Sequence, residues 1–338
     1  MSDRIEPMRQ CICGEIRTSV LGFGCGSVLG RVGRSDSLRA MNAAWDLGIT
    51  LYDTARSYGF GEAEAVLGEF LHGKRAQATI TTKFGISPQK LSAVERVAVP
   101  VVRAARKMPR FRNLFADAVT IEVPFPEFTV EGLRASLESS LRQLQTDYVD
   151  VLFLHEATAD ALYQRDLMEA LDRLVQAGKV RRVGLYADPN VIAEGLGNGP
   201  ATLTAMQFGA NPFDPVVAAI PRHNRRGLFL IGNHPFGDEQ RITRVQATLE
   251  AISSDETVPV ELREKLRDAD WETIIDAIFG AALNGSGIHA LVFSMMQVDH
   301  LCANVRAIQS DRFTTEDLEL IRERLLCAPE VTASAWWS

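Results

Sequence analysis

No apolar run in the 338-residue sequence approaches the roughly 20 residues that a membrane-spanning helix requires, which argues against a membrane protein. The opening decapeptide, MSDRIEPMRQ, is charged and has no apolar core, so it does not read as a secretory signal. Basic charge is in short supply: 36 Lys and Arg against 43 Asp and Glu leave a formal net charge of -7. A nucleic-acid binder ordinarily presents a basic stripe, and this balance argues against that class. Cysteine is sparse and scattered. The five residues Cys11, Cys13, Cys25, Cys302 and Cys327 are odd in number and do not form a disulfide framework by spacing. Cys11 and Cys13 stand two apart, without the neighbouring ligands that a metal site needs. A reduced, cytoplasmic protein with no metal is the expectation. Internal repeats, low-complexity tracts and linkers are missing as well, so a single domain over 1–338 is expected.

What the sequence has is alternation. RQCICGEIRTSV reads as a hairpin around Gly14, covering about residues 9–19. From LGFGC onward, eight β-rich apolar runs follow, most trailed by a helical pattern. Ser35, Thr129 and the pair Thr314 and Asp317 stand where helix N-caps belong, and Gly48 and Gly178 where helices stop. The last helix is expected at about 314–327. Nearly all-apolar strands alternating with helices imply a parallel sheet buried on both faces. Eight such units predict an α/β fold, a (β/α)8 TIM barrel with the N-terminal β-hairpin closing its bottom. Two stretches interrupt the rhythm, 85–128 after the third strand and 233–270 after the seventh, and both are expected as long loops. The first carries a basic run, RAARKMPRFR, with helical periodicity, suited to a lid, a subunit contact or a solvated face. The tail ASAWWS puts Trp336 and Trp337 at the terminus, where they are expected to dock on the barrel or between subunits.

Polar residues close several of the strands. Asp53 ends ITLYD, Tyr58 follows it in a glycine loop, Lys83 ends TITTKF and His155 ends VDVLFLH. In a barrel these ends converge on one rim. Together they make a proton-transfer site. Asp53 balances Lys83, the ammonium is expected to lower the phenol pKa of Tyr58, His155 binds a carbonyl oxygen, and Tyr58 acts as the acid toward it. A Rossmann fingerprint is the rival for LGFGCGSVLG, but its third glycine falls on Ser27 or Leu29.

The fragments LGFGCG, DTARSYGFGEAE with LGEFL, TTKFG and DYVDVLFLHE, in this order on these strands, resemble the aldo-keto reductase superfamily, and the resemblance covers nearly the whole chain. It implies carbonyl reduction by hydride from NADP or NAD, with Asp53, Tyr58, Lys83 and His155 as the catalytic residues. The cofactor side it implies comprises Gly24, Cys25, Asp53, Tyr186, Gln207, Asn233, Ser294, Met296, His300 and Asn304. Here the chain departs from the family pattern. Tyr186 and Ala187 stand where the family has Ser-Asn, and Asn233 and His234 where it often offers an aromatic. Met296 stands at a basic position, so the clamp for a 2′-phosphate is not evident; either a preference for NAD(H) or weak cofactor binding is expected, and the choice between NADP and NAD stays open.

Three functions are compatible with these residues. The first is a nicotinamide-dependent oxidoreductase for a small-molecule carbonyl or alcohol, as a monomer or homo-oligomer. The second is a cofactor-independent proton-transfer enzyme (dehydratase, lyase or isomerase) on the same scaffold with an eroded cofactor site. The third, a non-catalytic barrel, has no need for a buried Lys-Asp pair.

Overall fold

The computed structural model describes residues 8–89, 125–211, 214–237, 239–267, 269–284 and 287–327. Its centre is a closed barrel of eight parallel strands. The strands are β3 (Leu21–Gly24), β4 (Leu51–Asp53), β5 (Thr79–Phe84), β6 (Val149–His155), β7 (Val180–Tyr186), β8 (Leu203–Gly209), β9 (Phe229–Asn233) and β10 (Ala290–Phe293). Sequence neighbours pair throughout, and β10 closes onto β3. All seven residues of β6 are buried, because one face of the strand lines the lumen and the other lies under helices.

The lumen is filled, as eight-stranded barrels require. Leu51, Val151, Phe153, Ala205, Phe229, Ile231, Ala290 and Val292 form one apolar cluster inside it. Cys13 and Ile16 join the same cluster. They belong to the antiparallel hairpin β1 (Gln10–Cys13) and β2 (Ile16–Ser19), which closes the bottom as expected. Its turn needs Gly14, at φ +58.

Helix α1 (Arg34–Asp46) starts one residue before the expected cap. Gly33 is its N-cap and Ser35 lies in the first turn; Ser37 Oγ donates back to the Gly33 carbonyl at 2.9 Å. Helix α2 is Ala63–Phe70 and α3 is Val130–Leu144. Thr129 caps α3 by accepting from the Gly132 amide at 3.1 Å. The barrel continues with α4 (Ala159–Leu162), α5 (Arg165–Gln176), α6 (Pro189–Asn198) and α7 (Pro215–His223).

Residues 233–270 are not the long loop expected of them. They hold α8 (Glu239–Ser254) and α9 (Val260–Leu266). The physical reason is amphipathic spacing: Val245, Leu249 and Ile252 are buried on one face of α8, and Leu262 and Leu266 on one face of α9. Then come α10 (Trp271–Leu283), α11 (Val298–Gln309) and α12 (Thr315–Cys327). Thr314 and Asp317 bond reciprocally at 3.0 and 3.2 Å, a capping box on α12. Most of the 85–128 connection, with its basic run, lies outside the described residues, as does the tryptophan tail. The two ends of that connection meet: the Glu127 amide donates to the Gly85 carbonyl at 2.9 Å.

Gly68 sets the distance between α2 and α3. A Cβ there would lie 2.4 Å from the Gln143 carbonyl oxygen and 2.8 Å from Leu144 Cα. Alanine gains about 1 kcal/mol of helix propensity over glycine, and overpacking against backbone costs about 1–3 kcal/mol. Gly68→Ala is therefore expected to lower the urea midpoint. A raised midpoint would show that the helices part at little expense.

Candidate active site

Side chains alternate along a strand, so every second residue at a strand's top end faces the lumen. Register pairs Asp53 with Thr81, and His155 with Tyr186, which in turn pairs with Gln207. Asn233 ends β9 beside them. The result is a polar ring on the C-terminal rim, above the apolar lumen.

Lys83 Nζ donates to Asp53 Oδ2 at 2.6 Å and to the Thr54 carbonyl at 3.0 Å. Thr81 Oγ1 donates to Asp53 Oδ1 at 2.5 Å. Both charged residues are buried, Lys83 at 1% and Asp53 at 5% exposure. Tyr58 reaches them from the 3₁₀ turn Tyr58–Gly61. That turn needs Gly59: its φ is +58, and a Cβ would lie 2.6 Å from the Val28 carbonyl oxygen. Lys83 Nζ sits 5.0 Å from the Tyr58 ring centroid, and the His155 ring meets it edge-on at 6.0 Å. The four residues expected to share a site are thus brought together.

The electrostatics differ from expectation in one respect. Burial, then the charge of Asp53, raises the Tyr58 phenol well above its usual value of 10, where a lowered value was expected. The reason is burial first; the ammonium that was expected to lower the value is already paired with the Asp53 carboxylate at 2.6 Å. Tyr58 therefore keeps its proton at neutral pH. Burial, and then Lys83, depress His155 well below 6.5, so its imidazole is neutral.

Among the described residues, several rim groups have no protein partner. His155 Nδ1, both amide atoms of Gln207, and Asn233 Oδ1 are buried and unbonded. Each such group costs about 1–3 kcal/mol unless a ligand or water satisfies it. An amide open at both its donor and its acceptor end complements another primary carboxamide, which a nicotinamide ring carries. Gly24 lies on the same rim; a Cβ there would meet the Phe293 backbone at 2.9 Å, and its carbonyl accepts from Ser294 Oγ at 3.2 Å. Cys25 has no exposed surface, so any contact with a cofactor falls to its backbone. Farther along, Met296 packs against the core, Asn304 is buried in α11, and His300 is exposed in the first turn of α11. Asp299 shares that turn.

Two features escaped the sequence. Glu64 is fully buried, paired with Arg56 at 2.7 Å and accepting from Thr82 Oγ1 at 2.7 Å, which fastens α2 to the outer face of β5. Its signal was an acid on the apolar face of DTARSYGFGEAE. Glu156 follows His155 at φ +55, and burial raises its pKa. No local pattern marks it.

The model of the Aldo/keto reductase family matches residues 20–219, more than half the chain. The chain belongs to that family. It is 29% identical over 182 residues to an L-galactose dehydrogenase of Arabidopsis thaliana, covering 52% of this chain and 46% of that protein. It is 26% identical over 273 residues to a pyridoxal 4-dehydrogenase of Microbacterium luteolum, covering 70% of this chain and 75% of that one. The alignment thus spans about half the length of the plant relative. Among solved structures, the holo form of an aldo-keto reductase from Bacillus halodurans superposes with a TM-score of 0.66 at 22% identity, covering 94% of this chain and 96% of that one.

Proposed function

We propose that this chain is a nicotinamide-dependent oxidoreductase that interconverts a carbonyl and an alcohol on a small molecule. The observation that carries the reading is the buried Lys83–Asp53 pair with its ammonium over the Tyr58 ring, and neutral His155 at the ring's edge. When bound, the cofactor supplies the hydride. Tyr58 gives the carbonyl oxygen its proton, and takes it back in the oxidative direction. His155, neutral and able to donate one N–H, orients that oxygen. Lys83, fixed by Asp53, stabilises the charge that develops there. Gln207, with both amide atoms buried and unpartnered, would hold the carboxamide of the nicotinamide.

The phosphate end supports NAD(H). Met296 brings no cation, His300 is exposed, and Asp299 places a carboxylate in the first turn of α11, against a 2′-phosphate. The relatives are named for L-galactose and pyridoxal, so a small polar substrate is the corresponding proposal. The five cysteines are all free, which accords with a cytoplasmic location.

Calorimetric titration with NADH and NADPH tests the reading. NADH is expected to bind in the range typical of enzyme cofactors and substrates, about 1 μM to 1 mM, and more tightly than NADPH. Silence from both removes the redox reading. Cofactor-independent proton transfer by the same residues then takes its place, and the uncharged Met296 end favours it. In the same titration, Met296→Arg is expected to shift the preference toward NADPH about tenfold, worth about 1.4 kcal/mol. An unchanged ratio places the selectivity elsewhere.

A further inference from the structure

Tyr186 stands where the family resemblance expects a small hydroxyl residue, and its phenol shares the surroundings of Tyr58. It is the last residue of β7, in register with His155 on one side and Gln207 on the other. Its ring lies 5.6 Å from the His155 ring, against 6.0 Å for Tyr58. Lys83 Nζ lies 5.8 Å from the Tyr186 centroid, against 5.0 Å for Tyr58. One buried ammonium and one neutral imidazole are therefore flanked by two phenols.

Among the described residues no acceptor takes the Tyr186 proton, and Asn233 Oδ1, at the end of β9 on the same rim, is buried without a partner. A phenol with its proton uncommitted, facing the same imidazole and ammonium as Tyr58, is a hydrogen-bond donor available to an oxygen atom bound there.

We infer that Tyr186 is a third hydrogen-bond donor to the reacting oxygen, beside Tyr58 and His155. The inference rests on the oxidoreductase reading above. Burial and the neighbouring Tyr58 push the Tyr186 pKa up to about 12, while Asn233 and Lys83 pull the other way, so the group remains a donor throughout the neutral range. No proton leaves Tyr186 in the reaction; Tyr58 alone gives one up. The third donor stabilises charge on the oxygen as the carbonyl becomes an alkoxide and gains a third lone pair, and it selects substrates whose oxygen is unhindered.

The test uses the full chain, NADH or NADPH, and 4-nitrobenzaldehyde as the probe carbonyl. Tyr186→Phe, which keeps the ring, is expected to lower kcat about 10- to 100-fold, with KM and the cofactor dissociation constant within about threefold of wild type. The residual rate of Tyr58→Phe should fall further when Tyr186→Phe is added. Wild-type turnover in Tyr186→Phe overturns the inference. So does a loss matched by an equal loss of cofactor affinity, which would make Tyr186 a cofactor contact. If wild type itself turns over no probe, the oxidoreductase reading falls, and the reacting oxygen on which this inference rests falls with it. Wild-type turnover beside an unimpaired Tyr186→Phe removes the inference alone.

Discussion

Tyr58→Phe is expected to reduce carbonyl turnover about a thousandfold, within the 10²–10⁴ range that a positioned general acid contributes, and to leave the fold unchanged. The ring provides the packing: it lies under the Lys83 ammonium at 5.0 Å and against the His155 edge at 6.0 Å, and phenylalanine keeps both contacts. Only the hydroxyl is lost. The pH dependence follows from the direction of the shift. An acid catalyst works below its pKa and fails as pH rises through it. Burial puts the Tyr58 pKa well above 10, so the reduction rate should show no alkaline loss from this group below about pH 10. Steady-state rates and circular dichroism of the variant, with a wild-type pH profile, check both points. Near-normal turnover in the variant would remove Tyr58 from the acid role, and an alkaline limb near neutrality that vanishes with the hydroxyl would contradict its raised pKa.

Lys83→Met is expected to cost about 3–5 kcal/mol of stability, because it strands the Asp53 carboxylate in the barrel with Thr81 as its one remaining side-chain partner. Against a total stability of about 5–15 kcal/mol, that is a large fraction. The loss is not the worth of the ion pair. Removing both charges together, as Lys83→Met with Asp53→Asn, leaves no uncompensated charge and should recover most of the loss. Activity should not recover, since the ammonium beside the reacting oxygen is gone. Urea unfolding of the two single variants and the double variant separates these effects. A double variant as unstable as Lys83→Met would mean that the pair's attraction exceeds its desolvation cost.

These two residues also mark the boundary between what local sequence carries and what it does not. The alternation of apolar runs with capped helical patterns was enough for the barrel, its hairpin plug and the Thr129 and Thr314–Asp317 caps, because each depends on residues within one or two turns of chain. The placement of Asp53, Tyr58, Lys83 and His155 on one rim was legible for the same reason: each ends a strand or stands just beyond one, and parallel strands in a closed barrel bring their ends together. The helices within 233–270 were legible too, in the spacing of Val245, Leu249 and Ile252, but the absence of an intervening strand made the whole stretch look like a loop.

What tertiary structure alone decided are relations across distant strands. Thr81 became the second partner of Asp53, and Glu64 of α2 met Thr82 of β5, through packing between elements. The phenol of Tyr58 is raised rather than lowered because burial and the charge of Asp53 prevail beside an ammonium already paired with that carboxylate, a balance that spacing does not encode. Tyr186 faces His155 because barrel closure fixes the register of β6 and β7. Period and capping are properties of neighbours in the chain, and the sequence holds them. Which charge meets which, and how much water each has lost, depends on groups tens of residues apart, and those are assembled only when the barrel closes.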